Sequence, residues 1–564
     1  VGIDATTLSG SGYTTSGADP DVANDKYITI FTNDTSVFGT GLNTVAFTTA
    51  SNKWEDSTGN DLATTSTITE IDAAGPVLVS VYAVNYGASG IFNSTGDMME
   101  MIFSETLNDL PSLSELESAL TFSGTDGNNL PATSGTDGFF GLATTTFTND
   151  TVRIVYGTTA NGWSASTNAI VPGTTTVQVT TGTDITDTAT NTANTSASAT
   201  TSETDINIYY SVGISTAVLY DGDGTEDAVS GVLTLASAAD KNIGVGDQVR
   251  VGSNRYYITA RNSDTEFLIQ NSSANGGTPG ATNITFTNQD VNIYRAFNSL
   301  YAAEDGADNT NSYLATSDLV TNNYILNIAC YNDGVDTTRQ AYDIGIDIIG
   351  WTTGPRNYIR IFAPVSLPDV GTSQRHTGKA GTGYTYRPTL GPEWQLAILA
   401  VEENYVRIEG IDLNGSGVDS SEMFYGIWIG QEANPTLSDV RLDSLLLHGL
   451  TVDGTADGDL YGIYVEQTNT TITNSIIYDL TVTNTHSSTV CMGINNTNSN
   501  VGTHYWYNNT VFDLYSVNSY THGIRSTWTT AHIKNNYVGN LYGGYEHYSY
   551  YGTFSTDSTN NAAY

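Results

Sequence analysis

The glycines at 426, 462, 493 and 523 recur at steps of 36, 31 and 30 residues, each inside a short apolar run: YGIWIG, YGIYVE, MGINN and HGIRS. Such a period marks a chain that stacks on itself, because one repeat cannot bury its own apolar face and needs a neighbour above and below. Between the glycines a second β-rich segment recurs. Aligned on Leu450, Leu480, Leu514 and Leu541, these segments bring Leu442, Ile472, Trp506 and Ile533 into one register. Two residues later stand Ser444, Asn474, Asn508 and Asn535. In stacked parallel coils a register becomes a column, so the apolar positions build a continuous core. Asn474, Asn508 and Asn535 are expected to form a structural ladder of side-chain hydrogen bonds.

Three stretches nearer the N-terminus carry the same rhythm: NYILNIACYNDG (323–334), AYDIGIDIIGWTTGPRNYIRIFAPV (341–365) and YVRIEGIDLNGSG (405–417). Through its WTT…NYIRI and VRIEGIDLNG rungs, the chain from about Tyr294 onward resembles the right-handed parallel β-helix repeat proteins of the pectate-lyase-like superfamily. That resemblance implies a fold. It leaves function open, because such helices serve lyases, hydrolases, adhesins and phage spikes alike.

The N-terminal third contains two copies of another module. IDATTLSG (3–10) matches ESALTFSG (117–124), NDKYITIF (24–31) matches NDTVRIVY (149–156), and the stretch 43–60 matches 175–191. Alternating strand patterns punctuated by Gly, Asn and Asp turns suit a β-sandwich. Met101–Glu105 (the FSE strand), the Asp56–Asn60 turn and the Gly75-Pro76 junction carry a resemblance to the bacterial Ig-like domains of surface-layer and adhesin-type proteins. The second copy opens with GPVLVSVYAVNY and DMMEMIFSETL, two strands the first copy lacks. The first is therefore expected to be truncated or completed by a foreign strand.

The expected organisation is all-β: an incomplete Ig-like β-sandwich at 1–75, an Ig-like β-sandwich at 76–204, a small β-barrel-like domain at 205–295, and a capping helix with a right-handed parallel β-helix at 296–564. The one convincing helical stretch, 293–309, puts Ala296, Leu300 and Ala303 on one face and suits a cap over the first rung. Composition agrees, since Gly, Thr, Ser and Asn dominate while Lys and Arg are scarce.

A formal charge of −41, from 59 acidic against 18 basic residues, excludes partners that require neutralised phosphate, so no nucleic acid is expected. No apolar run is long enough to span a bilayer. Cys330 and Cys491 lie in apolar strands and read as buried free thiols. Asp221, Asp223, Glu226 and Asp227 in YDGDGTEDA are the candidate calcium ligands, carboxylates at near-alternate positions of a glycine-bent loop. No other cofactor is expected.

Catalysis on a polysaccharide would require paired carboxylates, or aspartates with a basic residue, recurring on one face in adjacent coils. The candidates are Asp412, Asp443, Asp453, Asp457 and Asp459, with Arg407 or Arg441 as base. In the arginine register the following rungs carry Thr471, Tyr505 and His532, so no basic strip emerges, and the seven histidines show no metal-ligand spacing. The tyrosine-dense end, with Tyr542, Tyr545, Tyr548, Tyr550 and Tyr551, reads as an assembly contact or a platform for sugars. The expectation is an extracellular structural or adhesive surface protein that binds copies of itself head-to-tail in a filament, with cell-surface polysaccharide as a further partner. The alternative is a secreted polysaccharide lyase or glycoside hydrolase with Ig-like spacers.

Overall fold

A computed structural model describes residues 75–84, 98–123, 139–143, 149–155, 175–195, 197–203 and 205–564, apart from 283, 310–312, 342, 392, 419, 421, 431–436, 454–457, 467, 484–485, 487–488, 497–501 and 519. Before residue 75 it describes the paired dipeptides Tyr13–Thr14 with Phe31–Thr32 and Thr44–Val45 with Ile68–Thr69. The rest of the 1–75 module, with its Asp56–Asn60 turn, lies outside the described residues. The chain divides into two compact units, with the division between Glu203 and Thr204.

In the first unit, seven strands form one sheet in the order Leu120–Phe122, Thr176–Val179, Ser198–Glu203, Leu78–Val84, Met98–Phe103, Thr151–Val155, Phe139–Ala143. Ser198–Glu203 and Leu78–Val84 pair in parallel, and the remaining neighbours are antiparallel. Period-two alternation explains the core. Val81 and Ala83, Met99, Met101 and Phe103, and Val152 and Ile154 all point inward. A short helix, Leu113–Ala119, was not foreseen. Its signal was present as a capping box, in which Ser112 Oγ accepts from Glu115 N–H while the Glu115 carboxylate accepts from Ser112 N–H.

The second unit is a parallel β-helix with a small β domain inserted near its start. Each complete coil contributes one strand to each of three faces. The first face runs Ile206–Val212, Tyr324–Cys330, Ile359–Phe362, Val406–Glu409, Leu437–Asp443, Thr468–Thr473, His504–Tyr507 and the end of Tyr520–Lys534. The second runs from Val335–Asp336 through Leu446–Val452, Ile476–Val482 and Thr510–Ser516 to Tyr537–Gly543 and Ala562–Ala563. The third runs Ile344–Ile348, Gln395–Val401, Met423–Ile429, Leu460–Val465, Val490–Asn496, the start of Tyr520–Lys534, and Glu546–Phe554. All pairings within these faces are parallel, and the registers read from the sequence recur. Leu442, Ile472, Trp506 and Ile533 are direct partners, as are Leu450, Leu480, Leu514 and Leu541.

The recurring glycine has a steric cause. A Cβ at Gly426, Gly462, Gly493 or Gly523 would point into the coil and meet a carbonyl oxygen of the next rung at 2.5, 2.6, 2.6 and 2.7 Å respectively. Only glycine tolerates this approach.

One boundary differs from the sequence-based expectation. Ile206–Val212 does not belong to the small domain; it pairs residue for residue with Tyr324–Cys330 as the first rung of the coil. Its alternation is the same in a barrel strand as in a coil, and its partner lies too far along the chain for periodicity to reveal it. The inserted domain is an eight-stranded antiparallel sheet that includes Gln248–Val251, Asn254–Arg261, Glu266–Asn271 and Val291–Tyr294, closed over Leu233, Val249, Ile258, Phe267, Ile269 and Ile293.

The helix Leu300–Gly306 is capped by Ser299 Oγ, buries Leu300 and Ala303, and packs against Ile206–Val212 and Ile344–Ile348 at the first coil. Its Glu304 is pressed beside Trp351, and burial pushes its carboxyl up to about 7. The folded chain therefore keeps the proton at pH values where the unfolded chain has lost it. The stability this group contributes is full below the ordinary glutamate value near 4.5 and is lost as pH rises through about 7. Glu304→Gln is expected to raise unfolding free energy by about 2–3 kcal/mol at pH 8 and to leave it unchanged at pH 4, as read from urea unfolding at the two pH values.

Candidate functional site

The outer surface of the third face carries two aligned columns. One runs Ala397, Tyr425, Tyr461, Met492, His522, Tyr548; the other runs Asp347, Ala400, Trp428, Tyr464, Asn495, Arg525, Tyr551. Stacking follows from the coil period, which sets like positions one strand spacing apart. Tyr425 and Tyr461 stack with ring centroids 5.4 Å apart and planes 13° apart, Trp428 lies beside Tyr425 at 5.7 Å, and Tyr464 beside Tyr461 at 4.8 Å. Met423 and Val490 pack at the edge. Acidic groups hold the polar ends of these rings. The Tyr461 hydroxyl donates to Asp459 at 2.8 Å, and the Trp428 indole N–H points to Glu466 at 3.4 Å.

Farther along, the surface becomes polar without becoming satisfied. Asn495 has no exposed area, yet neither its amide nitrogen nor its oxygen has a partner. His522 is 6 % exposed, and neither ring nitrogen is bonded. Desolvation, with help from Arg525, lowers the His522 pKa to about 4, so at neutral pH the ring offers one donor and one acceptor. The Nε of Arg525 is also unpaired, and this arginine makes no ion pair among the described residues. Tyr551 stacks on His522 at 4.8 Å and 8°, with Tyr548 5.2 Å from Tyr551. Buried polar groups left unpaired cost about 1–3 kcal/mol each, and here several of them stand in line with the aromatic strip. At the opposite end Asp347 has a buried, unpartnered carboxylate oxygen, and burial beside Glu402 pushes it up to about 7.

The residues singled out from sequence fall in several places. Glu226 accepts from the Tyr220 hydroxyl and from the amides of Asp223 and Gly224, each at 3.1 Å, while Asp223 accepts from Thr225 and Asp227 from the amide of Asn288. Two of the four carboxylates, Asp223 and Glu226, thus close the loop's own turns, Asp227 ties it to the neighbouring strand at Asn288, and Asp221 is exposed. Among the described residues no three His, Cys, Asp or Glu side chains converge as a metal site.

Asp412 is buried and accepts from Gly381 N–H, the Thr385 hydroxyl and His448 Nε2. Asp443 accepts from Thr473, Ser444 and Asn474, which hold its carboxyl below the ordinary range. Asp459 serves Tyr461, Asp453 is exposed, and Asp457 lies outside the described residues. Arg407 and Arg441 are direct partners in the first face, followed in register by Thr471, Tyr505 and His532. Both arginines turn to Asp439, at 3.8 and 2.7 Å, and Arg407 lies 3.5 Å over Tyr358. These carboxylates and arginines do not assemble into one site.

The terminal tyrosines also separate, because alternation sends neighbours to opposite sides. Tyr548 and Tyr551 join the third-face columns. Tyr550 takes the inward register of Ile524, its hydroxyl 2.9 Å from both the Asn536 and the Ala562 carbonyl oxygens, which share its one proton. Tyr542 faces Asp513 on the second face, and Tyr545 is 82 % exposed on a turn.

Asn474, Asn508 and Asn535 link edge to edge along the corner between first and second faces: Asn508 donates to Asn474 at 3.2 Å and Asn535 to Asn508 at 3.1 Å. All three have positive φ, where asparagine is tolerated. The next residue of each coil, Ser475, Asn509, Asn536 and Asn561, forms a second, inward ladder that sequence reasoning overlooked. Its signal was the doubled Asn508-Asn509, Asn535-Asn536 and Asn560-Asn561.

No family model, curated protein or solved structure matches this chain. Among the described residues no helix is long and apolar enough to cross a membrane.

Proposed function

We propose that this chain is an extracellular adhesive scaffold whose β-helix holds a polysaccharide along its third face. The observation that carries this reading is the alignment of the part-exposed Trp428 and Tyr464, backed by the buried Tyr425 and Tyr461, with the exposed Tyr548 and Tyr551 farther along the same columns, next to the unpartnered Asn495 and His522. A pyranose presents an apolar C–H face and a rim of hydroxyls. Stacked aromatic rings suit the first, and polar groups with unused hydrogen-bonding capacity suit the second. The acidic composition fits an exposed surface that stays soluble.

The test is affinity electrophoresis of the chain through gels containing, in turn, β-glucan, xylan, pectin and soluble chitin derivatives. Retardation by at least one is expected, with Trp428→Ala and Tyr464→Ala each weakening it roughly tenfold, about 1.4 kcal/mol. Free migration in every gel, or variants that bind like the parent chain, would refute the reading. A second reading, polysaccharide hydrolysis, rests on Asp347 beside Glu402 at the end of the same strip. Release of new reducing ends that disappears in Asp347→Asn would favour it over passive binding.

A further inference from the structure

We infer that the cleft between the inserted β domain and the first coil is a second ligand site, separate from the third face, that takes an acidic sugar residue through its carboxylate. The cleft encloses about 300 Å³, the lower end of the range for small-molecule sites. Its apolar wall is Phe297 stacked on Tyr313, with centroids 4.3 Å apart. Ser215, Thr216, Ala296 and Asn298 also line it.

The charge of the cleft is opposite to that of the chain. The exposed Arg250 sits over the Tyr294 ring at 4.2 Å, with its Nε donating to Gln248. Its two terminal nitrogens carry no hydrogen bond among the described residues, so a planar fork is held in place and left open. Across the Gln248–Val251 and Asn254–Arg261 hairpin its direct partner is Arg255. Like charges placed opposite each other destabilise a sheet, and a chain with 18 cations against 59 acids had many ways to avoid this pairing. Both guanidiniums lie near enough to Tyr313 to oppose the rise that burial imposes on its hydroxyl. Arg295, also at the cleft, is fully engaged by Asp247 and Asp333, two carboxylates against one guanidinium, so the open cation at the cleft is Arg250, with the Arg255 guanidinium adding to its field. Among the described residues no carboxylate lines the cleft. A fork of parallel N–H groups matches a carboxylate in two-point geometry, while the aromatic wall and hydroxyls match a sugar ring beside it.

Saturation-transfer NMR on the whole chain with D-glucuronate tests this directly. In a chain carrying Trp428→Ala and Tyr464→Ala to silence the third face, ring-proton saturation of glucuronate is expected, none is expected for D-glucose, and Arg250→Gln and Arg255→Gln should each weaken glucuronate roughly tenfold at unchanged melting temperature. Saturation of glucuronate that persists without Trp428 and Tyr464 separates this site from the third face. Equal saturation of glucose, no saturation of glucuronate, or an Arg250→Gln chain that binds like the parent would overturn the assignment. Displacement of glucuronate by sodium sulfate as efficiently as by excess glucuronate would also overturn it, in favour of a bare anion site.

Discussion

Arg295→Met is expected to lower the unfolding free energy of the second unit by about 3–5 kcal/mol, the range for removing one partner from a buried ion pair. The guanidinium donates to both oxygens of Asp247 at 2.7 and 2.8 Å and to Asp333 at 2.7 and 2.9 Å, and it covers the Tyr331 ring at 3.8 Å. Asp247 has no exposed area, so without Arg295 it must take up a proton or remain a buried charge held by little more than the Gly244 N–H. Asp247 belongs to the inserted domain and Asp333 to the coil, which makes this arginine the clamp between them. Urea unfolding at pH 7 measures the loss. A change below about 1 kcal/mol would mean that Met packing repays the lost pair, an outcome known for ion clusters replaced as a whole.

Asn536→Leu is expected to cost about 3 kcal/mol or more, because it strands several buried polar groups at once. Asn536 Nδ2 donates to the Trp506 carbonyl at 2.8 Å and to Asn561 at 2.9 Å, while its oxygen accepts from the backbone and side chain of Asn509 at 2.9 and 3.1 Å. Asn535→Gly, which removes the exposed ladder bond one residue earlier while keeping the positive φ, should cost well under half as much, since water can replace its bonds. Equilibrium unfolding of the two variants side by side decides the matter. Equal losses would show that the exposed ladder carries as much as the inward one.

These two ladders show how far the sequence alone could be read. Column membership was legible, because the coil period places Leu442, Ile472, Trp506 and Ile533 in one register whatever the loops between them do. Direction was not. Asn508 and Asn509 are the same residue type, and only the two-residue corner with its positive φ at Asn508 decides which turns inward. The third-face site was hidden for a related reason. Tyr425, Tyr461, Met492 and His522 sit beside the repeating glycine, where the strand departs from strict alternation, so their outward column has no signature of period two. The terminal tyrosines drew notice by density, but density does not tell Tyr550, facing the interior, from Tyr551 on the flank. The inserted domain concealed the first rung altogether.

That insertion also bears on how the coil assembles. Later rungs pair strands roughly 30 residues apart, as Thr470 with His504, whereas Ile206 must find Tyr324 across the whole inserted domain. The longer closure adds about 1 kcal/mol of chain entropy before any contact rewards it. Growth should therefore start among the distal rungs and travel back toward Ile206, so that the first strand docks last, once the inserted domain has folded and shortened the gap.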